Sequence, residues 1–225
     1  MALAVAACAL AAPAAQAADD PVVADDPAVV ETTDVFTGET AVAEETAATE
    51  QTCTDPELAT PLAAFKDTRS YFLAPGGSFE DAAAPGWILE GGATVAAGNE
   101  PFGIHGGGSS ALSLPAGSSA TSPVFCIDLN SPTFRFLAVQ EQAAADAGLE
   151  VDVIYPEKAT KNVRKAAKYK PLKEWKLSKD VKLEPQSTGK EAGWRKVALR
   201  FRVPATKKGG TWKVDSILVD PRCRY

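Results

Sequence analysis

His105 stands in Phe102-Gly103-Ile104-His105-Gly106-Gly107-Gly108, with Ser109 and Ser110 directly after it. Histidine beside hydroxyls is raw material for nucleophilic catalysis, but a serine nucleophile also needs a carboxylate to orient its base. Adjacency in sequence supplies none, so His105 reads as a loop histidine. The glycine run lacks the Lys-Ser/Thr ending of a phosphate loop and does not join a strand to a helix. With one histidine and one methionine in 225 residues, imidazole and thioether chemistry have little to draw on. The chain is therefore not expected to be an enzyme.

Two further groups could do chemistry. Residues 158–182 are rich in Lys and Arg, with Glu174 and Asp180 among them. Such a stretch can meet a polyanion, or it can be a solvated edge where Lys blocks strand-to-strand pairing. The cysteines are Cys8, Cys53, Cys126 and Cys223. Cys8 lies in the apolar start, which leaves three in a processed chain, and one pair plus a leftover thiol is the simplest arithmetic. Cys53–Cys126 is the pairing chosen, because it would pin the start of the ordered chain to a central strand. Cys53–Cys223 stays open as the alternative, since the ends of a sandwich often lie close together. With the first pairing Cys223 is a free thiol between Arg222 and Arg224, whose charges would lower its pKa.

The elements that position these residues follow from composition and period. Residues 1–17 are small and apolar and end Ala15-Gln16-Ala17, the pattern of a signal peptide, and too short for a transmembrane helix. Residues 18–52 hold most of the 12 acidic side chains between Ala18 and Glu57, a span with no basic residue. That composition cannot bury enough apolar surface to offset chain entropy, so it reads as a disordered acidic linker. Residues 58–225 carry a net charge of +6. The protein is expected to be secreted, and the export signal, the acidic leader and the lack of a recognisable module argue against a nucleic-acid partner.

From residue 53 onward the chain reads as short strands separated by Gly and Pro. Leu149-Glu150-Val151-Asp152-Val153 alternates with period two, the apolar residues inward and the carboxylates outward. Val197, Leu199, Phe201 and Val203 share one face, and Thr211 to Val219 forms the last long strand. Leu62 to Phe65 suits a short helical turn, and the first half of 158–182 suits a short helix. Phe79 and Trp87, set among turn glycines, are expected core anchors, as is Trp212. The spacing predicts an all-β antiparallel sandwich over 53–225.

Phe79-Glu80, Gly86-Trp87, Ser113-Leu114 and Trp212-Lys213-Val214-Asp215-Ser216-Ile217 together resemble the galactose-binding-like jelly rolls, and more narrowly the carbohydrate-binding modules attached to bacterial glycosidases. The Gly-Gly-x-Phe-Glu and final Val-Asp-Pro patterns also resemble secreted actinobacterial proteins of uncharacterised function. The resemblance covers 53–225 and implies a jelly roll. It implies a structural calcium held between the first and last strands, with Glu80 and Asp215 as its ligands and backbone carbonyls completing the set. Ser216 stands where the family often has a second acid, which removes one carboxylate. A structural role for Glu80 and Asp215 also displaces the reading of them as a glycosidase pair. The family binds sugars by stacking on exposed aromatic faces. Trp175 and Trp194, beside Lys and Arg, are the candidates here; Tyr155 and Tyr169 are weaker ones. The function implied is a non-catalytic module for a glycan or cell-envelope polymer. The alternative is a sandwich serving only structural or protein–protein contact.

Overall fold

A computed structural model describes residues 53–81, 83–142, 145–158, 160, 162–185 and 193–220. The expected signal peptide, acidic linker and free thiol of Cys223 fall outside the described residues. Two antiparallel sheets face one another in a jelly-roll β-sandwich.

The seven-stranded sheet contains β1 (Phe72–Leu73), β3 (Thr94–Ala97), β4 (Ser110–Pro115), β7 (Thr133–Gln140), β10 (Lys176–Leu177), β11 (Val181–Lys182) and β13 (Thr211–Asp220). Its main order is β10-β7-β13-β4-β3, with β1 on β13 and β11 on β7. The six-stranded sheet contains β2 (Ile88–Glu90), β5 (Ser119–Thr121), β6 (Phe125–Asp128), β8 (Leu149–Ile154), β9 (Val163–Tyr169) and β12 (Trp194–Arg202). Its order is β2-β5-β12-β8-β9, with β6 on β12. The expected helical turn is a 3-10 turn at Ala63–Phe65.

The core is the space between the sheets. Phe136 of β7 meets Phe201 of β12 edge-on at 5.1 Å, and Trp87 joins Phe201 to Phe79, whose ring centre is 4.9 Å away. Phe79, Trp87 and Trp212 are buried, as expected. Their indole N–H groups donate to Pro75 and Ala147 carbonyls respectively, so neither indole nitrogen is left unpaired inside. Cys53 is bonded to Cys126, with Cα atoms 5.6 Å apart. The chosen pairing therefore stands.

The expected short helix at the start of 158–182 is wrong: Val163–Tyr169 is the strand β9, paired along β8 from Leu149↔Tyr169 to Ile154↔Val163. Ala, Lys and Arg favour a helix locally, but a regular helix there would leave the β8 edge without partners. A bulge between Val151 and Asp152 lets Ala166 and Ala167 both lean on the core.

The two outer faces differ. The back of the seven-stranded sheet is covered by the chain's own N-terminal segment, where Leu62 and Tyr71 pack on Leu218 with Phe65, Ile104 and Leu177 around them. Arg69 and Arg135 close on Asp67 there, and Arg69 also reaches Asp180 and Asp220. On the back of the six-stranded sheet the described chain enters at Cys53, bonded to Cys126 of β6, and leaves β8 and β9 uncovered among the described residues.

Candidate functional site

Two places bring polar side chains together. The first is where β13 breaks step. Its pairing with β7 shifts between Asp215 and Leu218, and Ser216 takes a positive φ of 51°. Within the break, Ile217 exchanges backbone hydrogen bonds with the turn after β1: its N–H donates to the Gly77 carbonyl and its carbonyl accepts from the Ala74 N–H. This turns the Asp215 side chain into a small cavity lined by Ser78, Glu80, Asn99, Glu100, His105, Gly107, Gly108, Asp215 and Ser216. The space left for the centre of a water-sized sphere is about 10 Å3, enough for one atom or ion.

The carboxylates there are held by backbone. Glu80 accepts from the Ser109 and Ser110 N–H groups at 2.9 and 3.4 Å. A Cβ at Gly108 would lie 2.1 Å from Glu80 Oε1, so a side chain there would push the Glu80 carboxylate aside. Buried Asp215 accepts from the Glu100 N–H at 3.2 Å and from the Ser216 N–H at 2.6 Å. Glu100 folds back to accept from the Phe102 and Ile104 N–H groups. Burial pushes the Asp215 carboxyl up to about 7, and the nearby charges of Glu100 and Glu80 push the same way against the two backbone hydrogen bonds. His105 is moved below its usual value by desolvation, which Glu100 opposes.

Glu80 and Asp215 thus line one cavity, as expected of them. Glu100 is the residue sequence reasoning missed; its only signal was its place in the Asn99-Glu100-Pro101 turn. No Lys or Arg lines the cavity. The donor set of carboxylate, hydroxyl and carbonyl oxygens fits a hard cation in type. Among the described residues, no three His, Cys, Asp or Glu side chains converge on a metal position by themselves. A cation there would lean on Glu80, Asp215 and backbone oxygens.

The second place is the open face of the six-stranded sheet. Alternation sends Arg200 and Arg202 of β12 outward. Register sets Arg200 opposite Asp152 and Arg202 opposite Glu150 on β8. Asp152 is then opposite Lys165, and Glu150 opposite Lys168, on β9. Arg200 donates to Asp152 Oδ2 from Nε and Nη2, at 3.2 and 2.7 Å. Arg202 Nη2 donates to Glu150 at 2.6 Å, and Lys168 Nζ donates to its other oxygen at 3.0 Å. On the far side Ser119 Oγ donates to Glu90 at 2.8 Å. Glu150, Asp152, Lys165, Ala166, Ala167 and Lys168 line a groove of about 360 Å3.

The aromatic candidates do not come together. Trp175 and Trp194 are both half-buried. Trp194 begins β12 in one sheet, opposite Asp128, and Trp175 precedes β10 in the other. They form no common stacking platform. Tyr155 is buried, with Lys158 and Arg195 over its ring at 4.6 and 4.2 Å, and Tyr169 meets Phe136 edge-on.

No helix of the described residues is long and apolar enough to cross a membrane. No protein-family model and no curated protein matches this chain. Among solved structures, the CBM22-1 xylan-binding domain from Paenibacillus barcinonensis is 14% identical, over 66% of this chain and 94% of that one, with a TM-score of 0.44. A non-crystalline cellulose specific carbohydrate-binding module, CBM28, is 13% identical over 66% and 94%, with a TM-score of 0.43. The chain is also similar to TmCBM61, solved in complex with β-1,4-galactotriose, at 16% identity over 65% and 96%, with a TM-score of 0.40.

Proposed function

We propose that this chain is a non-catalytic, secreted binding module that holds a glycan or cell-envelope polymer on the outer face of its six-stranded sheet. One observation carries the reading: of the two outer faces, one is covered by the chain's own N-terminal segment, and the other, among the described residues, is uncovered over β8 and β9 and set with hydrogen-bonding side chains. A groove of about 360 Å3 is within the size range of ligand sites. Its Lys and carboxylate groups, with Arg200 and Arg202 paired to those carboxylates from β12, present donors and acceptors in fixed positions, which is what a hydroxyl-rich polymer needs. The Cys53–Cys126 bond supports export, because disulfides persist in oxidising compartments.

Within this reading Glu80 and Asp215 hold a structural calcium that ties the break in β13 to the loop after β3. Bound there, it would offset the charge that burial leaves on Asp215. Trp175 and Trp194 would then be rim residues of their separate sheets, with no shared stacking role.

The test is retention on insoluble or gel-embedded polysaccharides, with the folded state checked by near-ultraviolet circular dichroism. Retention on at least one polymer is expected. A folded sample retained on none would overturn the reading and leave a sandwich used for structural or protein–protein contact.

A further inference from the structure

The open face sorts its charges by depth. Asp152 is only 1% exposed at its side chain and Glu150 19%, while Arg200, Arg202 and Lys168 are 31%, 36% and 72% exposed. The carboxylates are sunk and the cations stand over them. Around the groove four cations face two carboxylates, so the surface that solvent sees is cationic. Glu90 lies on β2, with β5 and β12 between it and Glu150.

The cations also keep donors to spare. Neither the Nη1 of each guanidinium nor the Lys165 ammonium makes a hydrogen bond to the described residues. Lys165 acts on Glu150 through space, one of the charges that hold that carboxyl below its usual value; the largest cause is the hydrogen bond from Lys168. The sunk carboxylates fix the guanidinium planes from below, so the free N–H groups are oriented before any ligand arrives.

We propose that the ligand of this face is an acidic polysaccharide bearing carboxylate groups, a polyuronate. The inference rests on the reading of this face as a glycan-binding surface. The cations form two columns, on β12 and β9, roughly 10 Å apart with β8 between them. One small anion would be met by one column; two columns suit a polymer that repeats its charge. Glu150, partly open between the columns, accepts from sugar hydroxyls, which a polyuronate carries beside its carboxylates. A nucleic acid fits poorly. Its backbone would bring dense phosphate charge onto Glu150 and Asp152, and no aromatic side chain lines the groove to stack a base.

The test uses the full chain with its disulfide intact, in affinity electrophoresis through gels holding polygalacturonate, alginate, dextran sulfate, xylan, galactan or no polymer, with single-stranded DNA as a competitor. Retention by polygalacturonate or alginate, weakened by salt, supports the proposal. Lys165→Ala/Lys168→Ala should weaken it by about tenfold. Lys207→Ala/Lys208→Ala, which removes the same charge from an exposed turn between β12 and β13, should change it less than twofold. All variants are first shown to keep the wild-type melting temperature within about 2 °C, as expected for exposed substitutions. Retention on xylan or galactan alone overturns the polyuronate assignment and keeps the glycan reading. Retention on no polymer overturns both. Preference for dextran sulfate, competition by DNA at equal charge, or equal loss in the Lys207/Lys208 pair shows general polyanion attraction and overturns the proposal.

Discussion

Replacing Asp215 by Asn should stabilise the calcium-free protein at pH 8 and fail to do so at pH 5. Asp215 is buried and carries a carboxyl raised from 3.8 to about 7. Between those two values the folded state holds a proton that the unfolded chain releases. Stability therefore falls as pH rises through that window, and it is lowest above 7. Each tenfold difference in proton affinity is about 1.4 kcal/mol, so the ionised form costs the fold about 4 kcal/mol at pH 8. Asn removes that cost but returns part of it. Asp215 accepts from both the Glu100 and Ser216 N–H groups through separate oxygens, and an amide has only one oxygen to offer. An unsatisfied buried N–H costs about 1–3 kcal/mol. The net gain at pH 8 is about 2 kcal/mol, or about 4–8 °C for a domain of this size. At pH 5 keeping that proton costs the wild type only about 1.6 kcal/mol, no more than the hydrogen bond Asn gives up, so Asn brings no gain there. The two melting curves should cross between pH 5 and 8, measured by circular dichroism in excess chelator. A wild-type melting temperature that is flat across that range, or an Asn variant that runs parallel below it, would refute the argument that burial of an unneutralised charge dominates this cavity.

Calcium added to the chelated wild type at pH 7.5 should raise its melting temperature, since a ligand at a hundred times its dissociation constant contributes about 2.7 kcal/mol; an unchanged melt removes the calcium site. Asp67→Asn should destabilise the fold by about 3 kcal/mol, because it leaves Arg135 and Arg69 without the carboxylate that both use. The Arg69 hydrogen bond foremost, with Tyr71 hydroxyl donation after it, holds the Asp67 carboxyl well below the usual range. Its stabilisation is thus present above the unfolded value near 4 and lost as pH falls below it, and the variant's acid-melting limb should be flatter than the wild type's. Reducing Cys53–Cys126 under native conditions should cost about 4 kcal/mol from loop entropy alone, read as a drop in the denaturant midpoint; a midpoint that does not move would mean the 53–71 segment is held by its packing on Leu218.

Much of the fold was legible because strands with one buried face write their period into sequence. Leu149, Val151 and Val153 on β8 and Val197, Leu199 and Phe201 on β12 are all fully buried. β9 was not legible. Its Ala166-Ala167 pair and flanking cations suit a helix, and only the neighbouring β8 edge decides otherwise. β5 is three small residues, Ser119-Ala120-Thr121, too short to show a period, and it was missed. At the carboxylate cavity, Glu80 and Asp215 were found together by resemblance, but Glu100 was not. Its carboxylate ties its own loop through the Phe102 and Ile104 N–H groups, and a side chain that caps its own turn has no spacing to announce it. That Trp175 and Trp194 belong to different sheets was not legible either. Their sequence neighbours are charged, which says they reach the surface but not which sheet each one reaches.

The open face shows how register turns ordinary residues into a site. Glu150 and Asp152 were visible as outward positions on β8, and the alternation of β12 put Arg200 and Arg202 outward as well. Taken separately these are two solvated strand faces. Antiparallel pairing in one register sets Arg200 against Asp152 and Arg202 against Glu150, and a slip of one residue would send both arginines into the core. Once that register is set, the shorter carboxylates sink and the longer cations close over them, because Arg and Lys can lie along a surface while their charged ends reach water. A strand pair that carries two carboxylates against four cations in sequence therefore presents the cations at its surface. The net charge of the chain, −6, points the other way. What a ligand meets is set by the depth at which each charge lies, and depth enters only with the pairing of β8, β9 and β12.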